Sequence, residues 1–200
     1  MTSRFLIAIA VALVAASTSF AGNIPIVGVT ASSTWSTYDV NNLINGAGLS
    51  GGLHDNFWHD MWMDNYQDPT PTLVFDLGAV YTLDSTSIWN YNAICCGLDR
   101  SVKSLDILVS TDDVLFSLVG SFGLTEGTGD WIPADVLSLS GATGQWVKFH
   151  LTGNYGDPDF TGLSEVQFSG NSGQVPEPAS GLLLLAGVAG GLIYRRRMAA

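Results

Sequence analysis

Between residues 22 and 170 no segment carries a sustained 3.6-residue apolar stripe, whereas apolar and polar residues alternate again and again. A surface helix needs the first pattern and a half-buried strand the second, so this part of the chain has to be built from sheet. In residues 102–110 the side chains of Leu105, Ile107 and Val109 point one way, and in residues 146–151 those of Val147, Phe149 and Leu151 do the same. Residues 72–77 and 164–169 repeat the alternation, and further strands are expected around 81–91, 115–122 and 132–139. Turn residues at Gly78, Asp112-Asp113, 127–129, 141–144 and 153–158 recur at intervals suited to an antiparallel sandwich. Residues 39–70 break this rhythm with a long stretch rich in Gly, Asn and Asp that carries His54, Trp58, His59 and Trp62. Loops of that kind carry function when a rigid sheet presents them.

Charge narrows the partners. Of seven Lys+Arg, Arg4, Arg195, Arg196 and Arg197 sit at the ends, so residues 22–174 hold Arg100, Lys103 and Lys148 against 17 acids, a net charge near −14. Such a field repels phosphate backbones, which excludes nucleic acid and acidic membrane surfaces as direct partners of the body. Only 12% of residues are charged, while 23 Gly and 21 aromatics are present, a β-rich and extracytoplasmic composition.

Both ends read as addresses. Residues 1–21 have a short basic start with Arg4, an apolar run over 5–16 and the small-x-small site Ser19-Phe20-Ala21, the pattern of a secretory signal cleaved after Ala21. An uncleaved anchor is the competing reading, and the shortness of the run speaks against it. Residues 171–178 form a polar linker ending in Val175-Pro176-Glu177-Pro178, followed by an apolar stretch over 179–194 and a basic tail over 195–200. Sixteen helical residues reach about 24 Å, short of a hydrocarbon core of about 30 Å, so 179–194 is a marginal transmembrane helix. The arginines would hold its end in the cytoplasm and leave the body outside. This three-part tail resembles the PEP-CTERM sorting signal. The resemblance implies export in a Gram-negative-type envelope, exosortase processing near Pro176-Glu177-Pro178, and release or anchoring at the surface of bacteria that commonly make exopolysaccharide. A plain C-terminal anchor helix is the alternative.

Five motifs occur in order along the body: residues 42–46, Asn-Leu-Ile-Asn-Gly; residues 72–78, Thr-Leu-Val-Phe-Asp-Leu-Gly; residues 88–91, Ile-Trp-Asn-Tyr; Arg100 to Lys103 with 109–112, Val-Ser-Thr-Asp; and residues 163–168, Leu-Ser-Glu-Val-Gln-Phe. Together they resemble the discoidin or coagulation-factor type C domain and the related family-32 carbohydrate-binding modules, over roughly residues 27–170. The resemblance implies an all-β, antiparallel jelly-roll sandwich of the galactose-binding-like kind over residues 22–170. It also implies a structural Ca2+ where the early loop meets the last strand. Matched motif by motif, Asn45 and Ser50, with carbonyls of residues 42–49, face Glu165. Hard oxygen ligands on a Gly-rich turn suit this ion. Asn45 stands where the family usually has Asp, which weakens the site, and a hydrogen-bonded Asn/Gly turn without metal is the alternative.

Other constellations carry less. His54, Asp55, His59 and Asp60 lack a regular element to fix a transition-metal geometry and read as a polar loop. Residues 48–52 spell a nucleophile-elbow string without the strand-turn-helix context that gives it meaning. Asp157 with Asp159, or Asp55 with Asp60, would serve a glycosidase only across a cleft, and turn chemistry explains them better. Cys95 and Cys96 are adjacent, with Cα atoms about 3.8 Å apart, closer than an ordinary disulfide allows. Either they form a vicinal bond, a rigid apolar loop tip, or they are two buried thiols.

The resemblance implies a non-catalytic binding module whose loops at one end hold a sugar or another surface ligand. On that reading Arg100, beside Tyr91 and Asn92, donates hydrogen bonds to hydroxyls, and Trp58, Trp62 or Tyr155 stacks on a pyranose ring. On the competing reading Arg100 pairs with Asp99 or Asp106 and the tryptophans are core. The expected partner is an extracellular glycan or exopolysaccharide, in a biofilm or matrix setting. A structural matrix or adhesion protein without a specific ligand is the second reading, and a glycan-acting enzyme the third.

Overall fold

The computed structural model describes residues 22–68 and 70–172. The expected signal peptide (1–21), the sorting motif Pro176-Glu177-Pro178, the apolar stretch 179–194 and the basic tail lie outside these residues. Among the described residues no helix is long and apolar enough to cross a membrane.

Among the described residues eleven strands run in chain order: β1 (Gly22–Ile24), β2 (Gly28–Ala31), β3 (Leu49–Ser50), β4 (Leu53–His54), β5 (Trp62–Met63), β6 (Thr72–Asn90), β7 (Val102–Ser110), β8 (Ser117–Gly123), β9 (Ile132–Pro133), β10 (Asp135–Asn154) and β11 (Gly162–Ser172). Every strand pair is antiparallel. The expected alternation is met over 102–110, where Leu105, Ile107 and Val109 are buried. The expected breaks at Gly78 and at 141–144 are not breaks. Residues 72–77 and 81–90 belong to one 19-residue strand, and 135–139 and 146–151 to one 20-residue strand. Gly78 (φ 75°) and the pair Ser140 (φ 53°) and Gly141 (φ 74°) bend these strands instead of ending them, with a register shift between Ser138 and Ala142. A left-handed residue kinks a ladder and lets it resume.

The bends make the sandwich. The first part of β6, residues 72–76, pairs with β2 and with residues 146–150 of β10, which leads on to β7 and β8. The second part, residues 81–90, pairs with β11 and with residues 135–144 of β10. Two strands therefore serve both layers. Between them Phe75, Phe149 and Phe168 meet edge-to-face at 5.0, 5.6 and 6.0 Å, each fully buried. Such rings bury large apolar areas and add pair energy through their quadrupoles.

The long stretch expected as a loop carries short elements: a 3-10 turn at Val40–Leu43, the β3–β4 hairpin, a second turn at Trp58–Asp60, and β5. Tyr38, Met61, Met63, Tyr91 and Ala93 form a second, smaller core there, with Trp58 and Phe160 packed against it. That core fixes the loop end of the sandwich.

Candidate functional site

Backbone bonds tie the connections at this end to one another. Trp35 N donates to Met63 O, Asp64 N to Thr161 O, Gln67 N to Asp159 O, Tyr155 N to Ser101 O and Asp157 N to Asp99 O, all within 2.9–3.3 Å. Beneath them Asn92 is buried and fully used. Its Nδ2 donates to the carbonyls of Asp55 and Asp130, and its Oδ1 accepts from the N–H groups of Thr128 (2.9 Å) and Gly129 (2.8 Å). The loops meet here because a buried amide with four partners holds three of them.

Arg100 sits at the end of the 3-10 turn Leu98–Arg100. Its Nε donates to Asp157 Oδ2 at 2.9 Å, its Nη1 lies 3.5 Å from the Met63 sulfur, and its guanidinium carbon lies 4.8 Å from the centre of the Phe160 ring. Burial alone would pull this guanidinium down, yet its hydrogen-bonded ion pair with Asp157 outweighs it and holds it above its ordinary value. Burial would likewise push Asp157 up, but Arg100 and the N–H groups of Asp159 and Phe160 hold that carboxylate below the usual range. Asp157 is thus an ionised brace, not a proton donor. Neither Asp99 nor Asp106 is the partner of Arg100; the sequence distance to Asp157 hid the true one.

Three of the residues expected to touch a ligand are interior. Tyr91, Asn92 and Trp62 are fully buried, and the Trp62 Nε1 donates to Thr34 at 3.1 Å. An indole or phenol in the core cannot stack on a sugar. Burial pushes the Tyr91 hydroxyl above its usual range. Tyr155 is half-buried, with its hydroxyl donating to Leu124 O and Lys103 Nζ 5.7 Å from its ring. Trp58 is half-buried, stacked on His59 at 3.4 Å and tilted against Tyr38 at 5.2 Å.

The open aromatic surface comes from residues that sequence reasoning missed. Trp35 (39% exposed) and Tyr66 (52% exposed) flank Phe160 at 5.3 and 5.9 Å between ring centres. Beside this platform lies a cleft of about 220 Å3 lined by Asp68, Asn154, Asp157, Asp159, Phe160 and Thr161 among others. That is below the ~300–1,000 Å3 of drug-sized pockets and suits a single ring. The missed signal was position: Trp35, Tyr66 and Phe160 each fall outside alternating runs, where an aromatic has no sheet face to bury. Elsewhere Phe57 and Ile94 are exposed, and Cys95 and Cys96 are joined by a disulfide, with the Tyr38 hydroxyl 3.7 Å from the Cys96 sulfur.

On the other side of the first loop, Glu165 Oε2 accepts from Gly46 N at 3.1 Å, so the turn does meet the last strand. Asn45 Oδ1 accepts from Ala47 N at 2.7 Å, while Ser50 is exposed on the β3–β4 hairpin. Glu165 is 2% exposed, and burial pushes its carboxyl up to about 7 against the opposing bonds from Gly46 and Gln167. Among the described residues it has no basic partner, which is the environment a bound cation would relieve. His54, Asp55, His59 and Asp60 do not assemble: no group of three or more metal-ligating side chains occurs among the described residues.

The profile of the F5/8 type C domain matches residues 28–166, most of the chain. The chain belongs to the F5/8 type C domain family. Residues 174–197 match the PEP-CTERM protein-sorting motif, which marks an exported, cell-surface protein. A search of curated proteins found no match. Among solved structures, this F5/8 type C chain is similar to the family 32 module of C. perfringens NanJ in complex with galactose, at 15% identity and a TM-score of 0.57, covering 75% of this chain and 99% of that one. It is also similar to the family 32 module of AlyQ in complex with 4,5-unsaturated mannuronic acid, at 20% identity and a TM-score of 0.54, covering 74% and 97%. A third is a fucolectin from striped bass serum, at 20% identity and a TM-score of 0.55, covering 72% and 46%. At these identities the likeness is one of fold.

Proposed function

We propose that this protein is an exported, non-catalytic carbohydrate-binding module that acts in an exopolysaccharide or biofilm matrix after exosortase processing near Pro176-Glu177-Pro178. The observation that carries the reading is the exposed Trp35–Phe160–Tyr66 platform beside a one-ring cleft, on the loop end of a fold that galactose- and fucose-type binders share. Pyranose rings present apolar faces that stack on such rings, while hydroxyls find carboxylate and amide groups at the rim. Asp157, locked in its ion pair, offers no general acid, which supports binding over hydrolysis.

A glycan screen of the full chain in a neutral detergent tests this. Binding that is lost in Trp35→Ala and Tyr66→Ala supports the reading. A chain that binds no glycan in the panel is instead a structural matrix or adhesion protein.

Calcium is proposed as a structural ion. Glu165, the Asn45 side chain and carbonyls of the 42–49 turn would hold it, and it would neutralise the buried carboxylate and pin the turn to β11.

A further inference from the structure

Resting on the glycan-binding reading, we infer that the Trp35–Phe160–Tyr66 site selects sugars bearing a free amine, held by the Asp159 and Asp68 carboxylates, and rejects uronic acids. The argument starts from which charges in the cleft remain available. Asp68, Asp157 and Asp159 line it. Arg100 is the cation beside it, and its Nε is spent on Asp157 while its guanidinium lies against Phe160. Asp157 is spent in turn: Oδ2 on Arg100, Oδ1 on the N–H groups of Asp159 and Phe160.

That leaves two acceptors. The hydroxyls of Ser32 and Ser33 both donate to Asp68 Oδ2, at 2.9 and 2.8 Å, and among the described residues Oδ1 has no hydrogen-bond partner. Among the described residues the Asp159 carboxylate receives no side-chain or backbone hydrogen bond, although Asp159 is only half-exposed. Behind the cleft-lining Thr161 lies a further acid, which burial keeps protonated at mildly acidic pH and therefore outside the charge count. Asp64 is fully buried, its Oδ1 accepts from Thr161 N at 2.7 Å, and its Oδ2 has no partner. One neutralised guanidinium therefore lies beside three carboxylates, of which two are open toward the cleft.

An ammonium group satisfies this arrangement and a carboxylate opposes it. Placed on a pyranose ring, the amine meets Asp159 or Asp68 by charge-assisted hydrogen bonds while the ring's apolar face lies on Trp35 or Tyr66, whose electron-rich faces also attract a cation. A uronate would bring a further like charge into a low-dielectric cleft within a body near −14.

The test uses the full chain in neutral detergent, titrated with a glucosamine oligomer, its N-acetylated counterpart and a mannuronate oligomer at about pH 6, where the sugar amine and the uronate are both charged. The expected result is that the amine oligomer binds about tenfold or more tighter than the acetylated one, as one charge-assisted bond provides, with the uronate undetected. Salt at about 0.5 M should shrink the advantage. Asp159→Asn should erase the preference, with an unchanged melting curve reporting that the domain is folded; Asp159→Glu should retain it. Equal affinity for the amine and acetylated oligomers overturns the inference, and so does uronate preference, while loss of both in Trp35→Ala would keep the glycan site itself. An amine preference untouched by both Asp159→Asn and Asp68→Asn also overturns it. Silence of all three oligomers and of a wider glycan panel removes the binding reading as well.

Discussion

The Nε of Arg100 donates to Asp157 Oδ2 at 2.9 Å across 57 residues, joining the turn after β6 to the loop between β10 and β11. The two side chains are 19% and 12% exposed, and Phe160 covers the guanidinium. A pair this enclosed sets the shape of the ligand end from below rather than reaching into it.

Removing the guanidinium leaves a mostly buried carboxylate uncompensated and strips packing from Phe160. Arg100→Ala should therefore destabilise the domain by about 2–4 kcal/mol, read as a lower denaturation midpoint at unchanged m-value. Lys148→Ala, which loses only a contact to Phe116 at 3.7 Å, should cost about 1 kcal/mol or less. Comparable losses in the two variants would mean that the Asp157 pair adds nothing.

Burial pushes the Asp64 carboxyl up to about 7; Asp68 and Asp157 add to this, while the Thr161 N–H and Arg100 oppose it. The native state thus binds this proton more tightly than the unfolded chain does. Its contribution to stability is complete below the ordinary carboxylate value of 3.8 and is lost as pH rises through about 7. Melting temperature should fall between about pH 5 and pH 8, by an amount on the order of a few kcal/mol in stability. Asp64→Asn keeps the Thr161 bond without the charge, so it should flatten the profile and melt higher than the parent at about pH 8. A parent profile that rises over this window contradicts the assignment.

If the turn around Asn45 and Glu165 holds Ca2+, melting should shift upward with added calcium, by about 2.7 kcal/mol at 100 times the dissociation constant. Glu165→Gln should remove the calcium-dependent increment. Without calcium and above pH 7 the same substitution should be neutral or stabilising, because it discharges a buried acid whose carboxyl titrates at about 7. Identical curves with calcium and with chelator would leave the Gly46–Glu165 bond as the whole of the contact.

Exosortase processing near Pro176-Glu177-Pro178 predicts a mature chain ending near residue 178. Intact-mass measurement of the envelope form reads this directly. Arg195, Arg196 and Arg197 still attached in an exosortase-positive host would show that the tail is retained.

Much was decided by short-range pattern. Alternation over 102–110 and 146–151 specifies strands because a period of two has one solution for burying Leu105, Ile107, Val109, Val147 and Phe149, and the motifs from Asn42 to Phe168 carried the family. The meeting of the 42–46 turn with Glu165 was legible in the same way. What local pattern does not contain is where a bent strand goes next. Gly78 and Gly141 read as turns because a positive φ is all that sequence signals, yet both strands continue past them into the other layer.

The site depended on that long-range geometry. Tyr91, Asn92 and Trp62 looked exposed because they follow or precede loops, but Tyr91 packs into the second core with Met61, Met63 and Tyr38, Trp62 joins the main core, and Asn92 is fully buried. Trp35, Tyr66 and Phe160 stand far apart in the chain and touch only because loop-to-loop bonds such as Asp64 N to Thr161 O bring three connections together. Composition and periodicity act over a few residues and so determined a sheet-built, acidic, exported chain of this family. Which aromatics face solvent, and which acid neutralises the guanidinium, follow from contacts between residues tens of positions apart, and only the folded sandwich decides those.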